Sequence, residues 1–117
     1  MHQFKELEIW KRSRRFCSEI YDITSSFPDN EKFGLTNQLR RASVSISSNI
    51  AEGSSRKSNK DFSRFLEIAI GSCYEIETQL LIAEAVNFGE NDKRTDLLKE
   101  IDEEQKMIMS FMKKLQA

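Results

Sequence analysis

The chain has 117 residues, is 38% hydrophobic and 32% charged, and carries a formal net charge of −1. These values suit a single domain, residues 1–117, long enough to bury roughly 65% of its unfolded surface, and they exclude a disordered chain. Four glycines and one proline are too few for a β-sandwich or barrel, which needs a turn about every ten residues, so an all-α fold of a few long helices is expected.

Charge is unevenly spread. Residues 1–66 carry 12 Lys/Arg against 8 Asp/Glu, a net +4, and residues 67–117 carry 6 against 11, a net −5. Such asymmetry permits a basic face beside an acidic one, although ordinary solvated helix faces account for it as well. Cys17 and Cys73 stand alone at apolar positions and read as small buried hydrophobes of a reducing compartment. His2 is the single histidine and no CxxC spacing occurs, which argues against a His/Cys metal site, and no cofactor is expected. The opening "MHQFKELEIWKRSRRF" is charged from the start and resembles neither a signal peptide nor a membrane span, so the cytoplasm is the expected location.

The first helix is expected from about Lys5 to Ser26. Ile9, Phe16, Ile20, Ile23 and Phe27 recur at helical steps, while Lys11, Arg14, Arg15 and Ser18 take the opposite side. Pro28 stops it, because the residue before a proline disfavours the helical region. A second helix begins somewhere between Asp29 and Thr36 and carries Leu35, Leu39, Ala42, Ile46 and Ile50. Ala51 and Glu52 form its last turn, with Gly53 expected just beyond the end at positive φ. Ser58 is an apt N-cap for the third helix, with Asp61 completing a variant capping box.

The third helix, about Asn59 to Asn87, has two apolar stripes. Phe62, Leu66, Ala69, Cys73, Ile76, Leu80 and Ala83 form one; Ile70, Tyr74, Leu81, Ala85 and Phe88 form the other. Two stripes suit either a central helix or a subunit interface. The fourth helix, about Asp92 to Leu115, carries Leu98, Ile101, Ile108, Met112 and Leu115, interrupted by Gln105. Short joints favour antiparallel neighbours, hence an up-down-up-down four-helix bundle.

The serine-rich stretch "SVSISSNIAEGSSRKS" invites a catalytic reading that its chemistry does not support. A Walker loop needs an earlier glycine and a preceding strand, and a serine nucleophile needs a base. Glu52 is the best-placed carboxylate, and a polar contact fixing the joint explains it better; the chain is read as not an enzyme. Arg40, Arg41, Arg56, Lys57, Lys60 and Arg64 cluster in sequence around the joint, against Glu52 and Asp61 alone. This pattern suits phosphate contacts without base readout, to RNA or DNA.

Over nearly its whole length the chain resembles the four-helix-bundle proteins named after the intervening sequences of 23S ribosomal RNA. The resemblance rests on the tryptophan helix with its Phe-Pro turn, on "GLTNQLRRA", on Ser-Asn-Ile-Ala-Glu-Gly at 48–53, which includes Asn49, Glu52 and Gly53, and on "IAIGS" at 68–72. It implies an antiparallel bundle. It also implies a homopentameric barrel of the kind formed by the accessory protein of diversity-generating retroelements, which works with a reverse transcriptase and binds nucleic acid through a basic surface. It transfers no catalytic residue. The expected function is a non-enzymatic oligomeric module that binds nucleic acid or docks a nucleic-acid-processing protein; the alternative is a purely structural oligomer with protein partners only.

Overall fold

The computed structural model describes residues 2–116. A 3₁₀ turn at Phe4–Glu6 precedes helix α1 (Glu8–Thr24), and another at Asp29–Glu31 precedes α2 (Leu35–Ser54); α3 (Asn59–Ala85) and α4 (Asn91–Gln116) follow. Among the described residues there is no strand, and no helix is long and apolar enough to cross a membrane. The longest dimension, 44 Å, is close to the roughly 40 Å of a 27-residue helix, so the molecule is one helix long.

The α1 stripe is buried as its periodicity requires: Ile9, Phe16, Ile20, Ile23 and Phe27 all enter the core. They meet Leu39, Ile46 and Ile50 of α2, Phe62, Leu66, Cys73, Ile76 and Leu80 of α3, and Leu97, Ile101 and Ile108 of α4 in one continuous cluster. Burying each large aliphatic or aromatic side chain here contributes roughly 1.5–3 kcal/mol.

Serines line the seams of α2. Ser47 bonds Ser13 of α1 at 2.9 Å, Ser72 of α3 donates to Ser45 at 2.9 Å, and the buried Ser43 returns its hydroxyl to the Arg40 carbonyl at 2.9 Å. Small side chains that satisfy themselves or each other let three helices approach closely at these points.

Gly53 departs from expectation. It lies inside α2 and is buried, and the helix runs on to Ser54 with Ser55 as a right-handed C-cap. A Cβ on Gly53 would fall 2.7 Å from the Cβ of Phe65 and 2.8 Å from Cδ1 of Phe62. Glycine is required there by the close passage of α3, not by a left-handed turn. The left-handed residues are at the α3–α4 joint instead: Asn87 at φ 60° and Gly89 at φ 79°. Phe88 N–H bonds the Ala83 carbonyl at 2.8 Å and Asn87 N–H that of Glu84 at 3.2 Å, the paired bonds of a Schellman stop. Ser58 caps α3 as expected, its hydroxyl accepting from Asp61 N–H at 3.1 Å.

Candidate functional site

The α2–α3 joint occupies one end of the molecule, where two other segments arrive. His2 N–H bonds the Ser54 carbonyl at 3.0 Å, and the His2 ring lies 5.1 Å from Phe62 and 5.9 Å from Phe111. Asn59 Nδ2 donates to the Leu115 carbonyl at 3.0 Å, which ties the start of α3 to the last turn of α4. This end therefore holds Arg56, Lys57, Lys60 and Arg64 and also receives Lys113 and Lys114 of the last α4 turn.

The six cations singled out by sequence do not form one cluster. Arg40 is about 16 residues before Arg56, roughly 24 Å along the α2 axis. Its Nε donates to Thr24 Oγ1 at 2.9 Å, and its guanidinium stands 4.6 Å from the Tyr21 ring, so it fastens α2 to the end of α1. Arg41 lies on a different side, lining a groove of 310 Å³ between α2 and α3 with Gln38, Ser72, Glu75 and Gln79. Neither arginine pairs with Glu52. That carboxylate takes Arg56 at 3.3 Å, one turn away, while the Arg56 guanidinium also lies 4.7 Å from the Phe65 ring. Arg64 faces Asp61 at 3.9 Å. Lys57 and Lys60 are exposed and have no carboxylate partner among the described residues. Lys60 and Arg64 share a groove of 440 Å³ with Asn59, Glu67 and Leu115.

The signature residues have local roles. Asn49 turns back on its own helix, donating to the Ser45 carbonyl at 2.8 Å and to the Ser45 hydroxyl at 3.0 Å. Glu52 is exposed and, among the described residues, pairs with Arg56 alone, without the apolar surroundings that tune a catalytic carboxylate. No group of three His, Cys, Asp or Glu among the described residues is placed to hold a metal ion.

Buried charge in α4 escaped the sequence reading. Arg94 is 2% exposed and donates from Nη1 to the Phe88 and Gly89 carbonyls at 2.6 and 2.7 Å, which secures the α3–α4 joint. Glu104 is equally buried, and neither of its oxygens has a hydrogen-bond partner among the described residues. Arg12 Nε stands 3.8 Å away but directs its Nη2 to Glu103 at 2.7 Å. Desolvation outweighs the attraction of Arg12 and Arg15 and pushes the Glu104 carboxyl up to about 8. Burial, together with the neighbouring Glu19 carboxylate, pushes Glu100 up to about 7. Burial also carries the Cys73 thiol up to about 12, leaving it inert at neutral pH.

The outer side of α3 exposes several large apolar side chains among charged ones such as Glu67 and Glu75. Ile68, Tyr74, Leu81, Ile82 and Val86 are each about half exposed. The second stripe of the sequence reading is thus present as Tyr74, Leu81 and Ala85, with Ile70 and Phe88 half buried, and a third line of Ile82 and Val86 adds to it.

Comparisons with known proteins agree with this architecture. Among curated proteins, no sequence matches the chain. A crystal structure from Bacteroides thetaiotaomicron, described as a protein of unknown function from the S23 ribosomal protein family, superposes with a TM-score of 0.80. The two share 22% identity, over 90% of this chain and 98% of that one, a likeness of fold. The family model of the 23S rRNA-intervening sequence proteins matches residues 5–110. With four helices in place and nearly the whole length matched, the chain belongs to the 23S rRNA-intervening sequence protein family.

Proposed function

We propose that this chain is a non-enzymatic, antiparallel up-down-up-down bundle that self-associates in the cytoplasm, as a homopentamer, and presents a basic end to RNA or DNA. The observation that carries the nucleic-acid reading is the convergence at one end. Lys57 and Lys60, without carboxylate partners among the described residues, sit beside Arg56 and Arg64 where the last α4 turn brings Lys113 and Lys114. Phosphates are held by such exposed cations without base readout. Repetition of the end around a ring axis strengthens the local field and makes binding multivalent. The half-exposed Tyr74, Leu81, Ile82 and Val86 of the α3 side support self-association, since several large apolar side chains close together are seldom left to water.

A filter-binding titration tests the reading. Affinity for a mixed-sequence RNA or DNA should fall steeply as salt rises, through release of condensed counterions. Absence of binding at low salt would leave the structural module with protein partners only, a reading that the α3 face favours by itself.

A further inference from the structure

A second cationic surface lies along α1, away from the residues considered so far. Lys5, Trp10, Lys11, Arg14, Arg15 and Ser18 line a groove of 930 Å³. Its shape has a local cause. The 3₁₀ turn at Phe4–Glu6 closes on itself through Leu7 N–H to the Phe4 carbonyl at 3.0 Å and sets the Phe4 ring against Trp10, centroids 5.1 Å apart. The turn thereby forms one wall of the groove and brings Lys5 over it, while Lys11, Arg14, Arg15 and Ser18, at spacings of three, four and seven residues, supply the other from one face of α1.

Among the described residues, no carboxylate lines this groove. Lys11 meets Glu8 at 3.6 Å; Arg14 and Arg15 are exposed and form no ion pair within 4 Å among the described residues, although Arg15 lies near enough to attract Glu104. Trp10 is half buried, and the Arg14 guanidinium lies 5.8 Å from its ring. A solvated basic helix face accounts for the cations. It does not account for their convergence on the chain's single tryptophan in a concave site. Positive charge that tracks a backbone, next to an aromatic platform, is the arrangement that holds single-stranded nucleic acid. A duplex is less suited, because its bases are stacked inward and offer Trp10 no face.

Resting on the nucleic-acid reading above, we infer that the α1 groove is a subsite for a single strand, with phosphates on Lys5, Arg14 and Arg15 and an unpaired base against Trp10. The groove adjoins the basic end through the N-terminal segment, which is fixed to Ser54, so one strand can run from Lys57 and Lys60 onto α1.

Trp10 is its own reporter. Its emission should be quenched by poly-uridine or poly-thymidine strands of about ten nucleotides, a length within the usual single-strand site range, and much less by a duplex of equal length. The double substitution Arg14→Gln, Arg15→Gln, at exposed positions, should weaken strand binding about 25-fold near 0.1 M salt, given a salt slope of about 0.7 per phosphate contact on a single strand. Three results would each overturn the groove: Trp10 emission unchanged while filter binding shows saturation, equal affinity of the double variant, or equal quenching by polyglutamate of the same length. Failure of the underlying reading looks different, since then no complex forms at low salt by either method.

Discussion

Gly53 of α2 and Phe65 of α3 approach so closely that a Cβ on the glycine would lie 2.7 Å from the Cβ of the phenylalanine. This contact fixes the spacing of the two helices at the end where the basic residues gather. Gly53→Ala should therefore destabilise the fold by roughly 1–3 kcal/mol, the usual cost of overpacking, despite the better helix propensity of alanine. Gly71, also inside a helix, has nothing within 4 Å of its Cβ position. Gly71→Ala should stabilise by roughly 0.5–1 kcal/mol. Denaturant melts of the two variants must move in opposite directions; a shift of the same sign would remove the close approach as the reason for Gly53.

Glu104 gives the fold a pH dependence. Its folded carboxyl titrates at about 8, above the ordinary carboxylate range, because burial penalises its charged form. A raised folded value means that the native state holds the proton more tightly than the unfolded chain. The associated stability is full below the unfolded value near 4.5 and is lost as pH rises through about 8. The loss is at most about 5 kcal/mol, at 1.36 kcal/mol per pH unit. Glu100, raised to about 7, adds in the same direction. Melting temperature should fall between pH 5 and pH 9, and Glu104→Gln should remove much of that slope and be the more stable protein at pH 9. Parallel profiles for wild type and variant would show that Glu104 is ionised and satisfied in the fold.

Periodic features were legible in the sequence because they are local. The α1 stripe from Ile9 to Phe27, the α3 core stripe and the Ser58 cap each follow from spacing within one element. Gly53 was misread because a glycine near a helix end has two explanations, and the one that applies depends on Phe62 and Phe65 of the next helix. Glu104 and Arg94 carry no signal in the sequence because what surrounds them comes from elsewhere: Arg12 is some ninety residues from Glu104, and Arg94 answers carbonyls of the α3–α4 joint. The candidate site was legible only in part. Arg56, Lys57, Lys60 and Arg64 are close in sequence and stay close. Arg40 and Arg41 are separated from them by most of a helix, and the α1 groove depends on an aperiodic 3₁₀ turn that no spacing announces.

The α3 face should mediate assembly. Tyr74 and Leu81, two turns apart, and Ile82 and Val86, one turn apart, leave an apolar surface that a lone bundle would expose. Light scattering at micromolar concentration should return a multiple of the 13.6 kDa chain, five for the pentamer. Leu81→Glu should shift the protein toward monomer with helical content unchanged, since the side chain is half exposed in the bundle and carries little of the core. A wild type that scatters as 13.6 kDa would remove self-association altogether. An oligomer indifferent to Leu81→Glu would move the interface off this face.

The basic end yields the most direct functional test, and the structure sharpens which residues to change. Arg56 is engaged with Glu52 and the Phe65 ring, so its loss would mix packing with binding. Lys57 and Lys60 are exposed and carry no such duty. Lys57→Gln with Lys60→Gln should leave the melting temperature and oligomer size unchanged while lowering nucleic-acid affinity and flattening its salt dependence. If each lysine neutralises one phosphate, the logarithmic slope should drop by about 1.8 on a duplex and about 1.4 on a single strand. Arg40→Gln supplies the contrast. Because Arg40 bonds Thr24 and stacks on Tyr21, its replacement should lower the melting temperature by loss of a partly buried hydrogen bond and leave the salt slope as it was. Should Arg40→Gln flatten the slope while the lysine pair does not, the phosphate-binding surface lies along the α1–α2 face, and the end of the bundle is a solvated joint.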